Sequence, residues 1–196
     1  TMNNKAHFNP KSMTWIISLV IMIILTAGVI FGSKAVYTAV NQKYDEHHEI
    51  GFSIASTEAV DISALDISAF DVTAIDKAMD ASGNVVAYTV TGTVLGYNQE
   101  SPIEMTSTIS ADGTLVCGID ILSQKETEYL GVRIATDDFK NQFDGRLLPV
   151  VSSADTAKGS TIDVLSKATI SSEAVIKGVN NAYDALVQAN LIEAAE

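Results

Sequence analysis

Between Lys11 and Lys34 the chain runs for 22 residues without a charge, SMTWIISLVIMIILTAGVIFGS. Coiled as an α-helix, such a run is about 33 Å long, which matches the hydrocarbon thickness of a bilayer. It is apolar on every side rather than along one stripe, so it does not read as a helix packed on a soluble core. A cleaved signal peptide would have a shorter apolar region ending at a small-x-small site, and the following KAVYTAVNQ offers no clear one. The reading is an uncleaved single-pass anchor over 12–33 behind a short head, 1–11. Lys5 and Lys11 precede it and Lys34 and Lys43 follow it, so only the N-terminal amine tips the count towards a cytoplasmic N-terminus.

The rest of the chain is acidic. From Ala35 onward there are 9 basic and 24 acidic residues, a net charge of −15. Such a surface repels nucleic acid and anionic headgroups, which excludes polynucleotide binding and leaves proteins, small molecules or cations as partners. The single cysteine, Cys117, rules out an internal disulfide and an iron–sulfur cluster held by this chain alone. Within the alternating run LVCGIDIL it reads as a small buried hydrophobe. His7, His47 and His48 flank the apolar run, and two adjacent histidines are badly spaced to chelate one ion, so no metal site is expected.

With 196 residues and 47% apolar content the chain has material for one packed core. Residues 34–81 read as a polar stalk followed by a segment in which Asp61, Asp66, Asp71 and Asp76 recur every five positions. A period of five keeps no constant side on a helix or a strand. Four pentads would close only one coil of a β-solenoid, so the segment is expected to be a duplication in a loop or short helices. From Ser82 the pattern becomes strand-like. VVAYTVTGTVLGY alternates; IEMTSTIS places Ile103, Met105, Ser107 and Ile109 on one side. After the turn Ala111-Asp112-Gly113, the run TLVCGIDILS is expected to put Leu115, Cys117, Ile119 and Ile121 on one face. Phe139 and Phe143, at i and i+4, read as core residues of a short helical piece. Ala174, Val175, Val179, Ala182, Leu186 and Val187 mark a C-terminal helix beginning near Ser171, with Ser171 or Ser172 as its cap. The expected fold class is α+β: one membrane helix and one domain, 82–196, with an antiparallel sheet and flanking helices.

Directly before that last helix lies DVLSKATISSEAV, a cluster of hydroxyls with Lys167 among them. A helix N-terminus carries unpaired amides and about half a positive charge, and so favours a phosphate. Serine and threonine also cap helices for purely structural reasons, and physics alone leaves both readings open.

DVLSKAT, Asp163 to Thr169, resembles the flavinylation motif Asp-x-x-Ser/Thr-Gly-Ala-Thr of the FMN-binding domain family found in the G subunit of Rnf complexes and the C subunit of sodium-pumping NADH:quinone reductases. The similarity extends through GYNQESPIEMTSTISADGTLVCGIDILSQKETEYLGVRI, which contains the family's Gly-Tyr, Pro-Ile and Glu-Thr-x-x-Leu-Gly elements, the last as Glu126, Thr127, Leu130 and Gly131. It covers the anchor and about residues 82–190, leaving the pentads without a counterpart. Two positions depart from the family: Lys167 stands where glycine is usual, and Glu128-Tyr129 replaces Pro-Gly.

The resemblance implies a function. A flavin transferase would take FMN from FAD and esterify its phosphate to Thr169, within a motif that also comprises Asp163, Ser166, Lys167 and Ala168. Glu126 and Thr127 would lie near the isoalloxazine or ribityl chain, with Leu130 and Gly131 completing their turn. The chain would be the electron-carrying G subunit of an ion-translocating ferredoxin:NAD oxidoreductase, in the cell membrane with its FMN domain on the extracytoplasmic side, and would work among the other Rnf subunits. It has no dinucleotide fingerprint and no cluster cysteines, so it would hold no complete active site by itself. The alternative within the family is the C subunit of the quinone reductase, usually longer than 196 residues. From other classes, a pilin-like filament protein would need an acidic residue near the start of its apolar helix, and 12–33 has none; an anchored binding domain without flavin also remains.

Overall fold

The computed structural model describes residues 47–153, 155 and 157–194. The expected anchor over 12–33 and most of the proposed stalk lie outside them; among the described residues no helix is long and apolar enough to cross a membrane. Six strands pair antiparallel in strict chain order: β1 (Ser56–Ala59), β2 (Val72–Met79), β3 (Val85–Val94), β4 (Ile103–Ser110), β5 (Leu115–Ser123) and β6 (Arg146–Leu147). A separate parallel pair joins β7 (Val150–Ser152) to β8 (Ser160–Ile162). A single turn, α1 (Asp137–Lys140), precedes β6, and α2 (Thr169–Gln188) closes the fold. This is the α+β architecture expected.

The sheet begins earlier than the sequence pattern predicts. The expected division at 82 falls within the turn of the β2–β3 hairpin, and β2 pairs with β3 from Val72↔Gly92 to Met79↔Val85. Val72, Thr73 and Ile75 supply the β-branched content of a strand, and Asp80 closes the turn by accepting hydrogen bonds from the Ser82 and Asn84 N–H groups at 2.8 and 2.9 Å. The pentad aspartates share no face. Asp61 caps a turn through the Ser63 N–H, Asp71 is left-handed at φ 52°, and Asp76 lies within β2. Instead of loops or short helices throughout, the segment supplies a 3₁₀ turn, Ser68–Phe70, and an inner strand.

On β4 the expected inward set, Ile103, Met105, Ser107 and Ile109, is buried. On β5 the expected set is corrected. Ile109 pairs with Val116 but Thr108 pairs with Gly118, so Cys117 is the extra residue of a β-bulge. The bulge rephases the strand, and Val116, Ile119 and Ile121 meet the core while Cys117 sits half-buried in the kink. Burial, helped by the charges of Asp112 and Asp144, pushes the Cys117 thiol up to about 11. That suits an inert packing residue.

α2 lies across β3 and β4 with Val175, Val179, Ala182 and Leu186 turned inward. It approaches so closely that a Cβ on Gly178 would come within 2.5 Å of Met105 Sδ and 3.2 Å of Val94 Cγ1. Asn180 fastens the same helix to β7, accepting from the Val150 N–H at 3.1 Å and donating to its carbonyl at 2.8 Å. Phe139 and Phe143 stack edge-to-face, ring centres 5.6 Å apart, inside the core as expected.

Two outcomes follow from this arrangement. A fragment beginning at residue 82 loses β1, β2 and the buried Ile75, whose burial alone stabilises by about 2 kcal/mol; circular dichroism should show no cooperative unfolding, whereas a fragment beginning at residue 47 melts cooperatively. At the β4–β5 turn, burial works against ionisation of Asp112, yet hydrogen bonds from Ser110 and Thr114 outweigh it and hold its carboxyl below the usual value. Its stabilising effect is therefore present above the unfolded carboxylate pKa of about 4 and lost as pH falls through the lower folded value. Asp112→Asn, which keeps the accepting oxygen, should flatten the acid limb of stability measured by urea unfolding between pH 2 and pH 7.

Candidate functional site

Because β3, β4 and β5 alternate in direction, the C-terminal ends of β3 and β5 leave the sheet at the same edge. The chain after β3 makes a turn at Gly96-Tyr97-Asn98, and the chain after β5 makes the loop from Gln124 to Gly131. The start of α2 meets them there. These three segments enclose a cleft of ≈ 350 Å³ lined by Tyr97, Thr127, Leu130, Gly131, Lys167, Ala168, Thr169, Ile170 and Ser171. Its volume lies within the range of about 300–1,000 Å³ typical of small-molecule sites.

α2 begins at Thr169, two residues earlier than the pattern of apolar positions suggests, and Ala168 is its N-cap residue with no side-chain capping bond. The two expected caps are engaged elsewhere. Ser172 Oγ donates to the Ala168 carbonyl at 3.0 Å and accepts from the Leu165 N–H at 3.1 Å, so it fastens the incoming loop. Ser171 Oγ donates to Glu126. The first turn of a 20-residue helix is thus left without a side-chain cap at the cleft, and Thr169 is exposed there.

Glu126 does not face the cleft as a ring contact would. It is 5% exposed, and its carboxylate accepts from the Tyr97 N–H at 3.0 Å, the Asn98 N–H at 3.1 Å and the Ser171 hydroxyl. Two glycines make room for it: a Cβ on Gly96 would lie 2.6 Å from Glu126 Oε1, and one on Gly131 would lie 2.7 Å from Glu126 Cβ. Of the other sequence-predicted residues, Thr127, Leu130, Gly131, Lys167, Ala168 and Thr169 meet in the cleft. Asp163 and Ser166 are exposed and do not line it; the Asp163 backbone is held by Gln142, whose Oε1 accepts its N–H at 2.9 Å. The pattern reading missed Tyr97 and Ile170, which stay 64% and 53% exposed beside the cleft. Ile170 was detectable as an apolar position off the buried stripe of α2. Among the described residues no group of histidine, cysteine and carboxylate side chains is placed to hold a metal.

The stretch that contributes all three walls, residues 96–184, matches the family model of the FMN-binding domain. The G subunit of the ion-translocating oxidoreductase complex of Methanosarcina acetivorans is 37% identical over 108 residues, 55% of this chain and 55% of that protein. The G subunit of the Na⁺-translocating ferredoxin:NAD⁺ oxidoreductase complex of Acetobacterium woodii is 39% identical over 105 residues, 51% of this chain and 49% of that protein. The chain thus spans about half the length of these relatives. The crystal structure of the C subunit of Na⁺-translocating NADH-quinone reductase from Parabacteroides distasonis shares the fold, with a TM-score of 0.54 at 19% identity over 84% of this chain and 98% of that one.

The two departures from the family motif have a common geometry. Lys167 has φ 65° and Tyr129 has φ 61°, both in the left-handed region that glycine occupies without strain. The chain therefore keeps a glycine-type backbone at both positions while carrying larger side chains. A non-glycine residue there is strained by about 1–2 kcal/mol, and changing it to glycine gives back roughly 0.4–1 kcal/mol through the freer unfolded chain. Lys167→Gly and Tyr129→Gly should each raise stability by up to about 1 kcal/mol in urea unfolding. Gly96→Ala and Gly131→Ala should instead lower it by about 1–3 kcal/mol, since each crowds the buried carboxylate.

Proposed function

We propose that residues 96–184 form an FMN-binding domain and the electron-carrying part of a G-type subunit of an Rnf complex, with FMN joined through its phosphate to Thr169. The observation that carries this reading is an exposed hydroxyl on the first residue of a long helix that lacks a side-chain cap, set in a cleft of suitable size. The residues fit the group. The free amides of the first turn and Lys167 favour an anionic phosphate, and Tyr97, Leu130 and Ile170 offer apolar surface for a ring. FMN held there would supply one-electron exchange.

Attachment would join Thr169 Oγ1 to the flavin-side phosphorus of FAD as the pyrophosphate bond broke, with AMP as the leaving group and the hydroxyl proton passing to a base on the transferase. The ester leaves one negative charge near the helix end. It also frees retention of the cofactor from the concentration of free flavin, a condition that matters outside the cytoplasm. The chain's own residues thereafter orient the ring and set its electrostatic surroundings.

The partners in this reading are the other membrane and peripheral subunits of an ion-translocating ferredoxin:NAD oxidoreductase, and a flavin transferase during maturation. Relatives named as the G subunit of an ion-translocating oxidoreductase complex and of a Na⁺-translocating ferredoxin:NAD⁺ oxidoreductase complex support it. The anchor over 12–33 would place the chain in the cell membrane as a single-pass protein with a cytoplasmic N-terminus and the FMN domain on the extracytoplasmic side.

The deciding experiment is co-expression of the full chain with a flavin transferase, followed by denaturing electrophoresis under ultraviolet light and intact-mass analysis. A fluorescent band with the added mass of an FMN ester, abolished in Thr169→Ala, is the expected result. A dark wild-type band beside a labelled known substrate of the same transferase would sink the reading and favour a flavin-free anchored domain.

A further inference from the structure

A carboxylate taken out of water is tolerated only where donors replace its hydration. Glu126 has such donors, and they come from different parts of the chain. Oε2 accepts from the Tyr97 N–H and from the Ser171 hydroxyl, and Oε1 accepts from the Asn98 N–H. Asn98 adds a reciprocal tie, its Nδ2 donating to the Lys125 carbonyl at 2.8 Å, and the Glu126 N–H donates to Gln124 Oε1 at 2.7 Å. The turn after β3, the loop after β5 and the first turn of α2 are thereby fastened through one side chain.

The attachment at Ser171 also sets the rotation of the helix. Positions two apart on an α-helix are about 200° apart around its axis. Ser171 is 1% exposed against the carboxylate, and Thr169 is exposed. Holding Ser171 inward therefore turns Thr169 outward.

The geometry points to Glu126 as the positioning residue of the flavin site: its carboxylate locks the three cleft walls together and presents the Thr169 hydroxyl at a fixed spacing and rotation. This rests on the reading of Thr169 as the flavin acceptor. The role requires a carboxylate rather than any polar group of the same shape. Each oxygen accepts from a backbone N–H, a donor that cannot become an acceptor. A glutamine amide, whichever way it is turned, would aim its NH₂ at an N–H.

The test uses the full chain, produced with and without a flavin transferase, as wild type, Glu126→Gln, Ser171→Ala, the double variant, and Phe143→Leu as a core substitution away from the cleft. Amide hydrogen exchange is measured on the protein made without transferase. Attachment rate is read by intact mass during short induction with it, and the visible circular dichroism of the bound flavin is recorded. The expected result has the Tyr97 and Asn98 amides of Glu126→Gln exchanging at least tenfold faster. Attachment should slow at least fivefold in Glu126→Gln, Ser171→Ala and the double variant alike, because the pair acts as one unit. The flavin dichroism should change, while Phe143→Leu loads as wild type despite a lower melting temperature. Wild-type exchange at Tyr97 and Asn98 in Glu126→Gln would overturn the inference. So would losses of attachment that merely follow melting temperature across all variants. Failure of the wild type to acquire flavin would instead remove the role of Thr169, and the exchange result would then decide the clamp by itself.

Discussion

The fold depends on the close seating of α2 against the inner strands of the sheet. Gly178 lets the helix backbone come down on Met105 and Val94, and the apolar face from Val175 to Leu186 fills the space on either side. A longer side chain at 178 would lift the helix and open the core along its length. That seating also fixes the other end of the helix. Once Val175 and Val179 are inward, Ser171 is inward as well, one further turn towards the N-terminus, and Thr169 is left at the mouth of the cleft. The packing of an apolar stripe thus brings Ser171 to Glu126, and the two together fix where the Thr169 hydroxyl stands.

The antiparallel meander contributes the second condition. Alternation of strand direction returns the ends of β3 and β5 to one edge of the sheet, so two loops far apart in sequence become neighbours without a long crossover. What joins them is electrostatic rather than apolar. Burying a carboxylate is unfavourable by several kcal/mol unless donors compensate. Glu126 is compensated by two backbone N–H groups and a hydroxyl. Such an arrangement makes the loops rigid but intolerant of change, since the neighbouring positions 96 and 131 have room only for glycine.

The polar exterior and the cleft are separate matters. The acidic surface excludes polyanions, yet the cleft itself is lined by one lysine, hydroxyls, apolar groups and no carboxylate among its lining residues. A helix N-terminus beside a cation gives a local positive potential inside a negative domain. This contrast suits the anionic cofactor proposed for the cleft.

Much of the organisation was legible in the chain. Alternation identified β4, the 3.6-residue stripe identified α2, and the motif Asp163 to Thr169 ends where α2 begins, at the wall of the cleft. The exceptions have physical reasons. The pentad period concealed β2, because regular spacing of aspartates says nothing about which backbone groups find partners, and the partner strand lay beyond the turn at Asp80. The bulge at Cys117 reversed the facing of half of β5, a shift that a period of two cannot foresee. Glu126 reads from the sequence as a contact for the cofactor and is instead held inward, because its partners at Tyr97, Asn98 and Ser171 meet only when three remote segments converge. By itself, then, the sequence determined the strands from β3 to β5, the closing helix, the acidic exterior and the candidate acceptor, all consequences of local periodicity, composition and motif. Which residues face the cleft, and which merely hold its walls, was decided by tertiary structure, since hydrogen-bond partners dozens of residues apart are chosen by the packing of the sheet and not by their spacing along the chain.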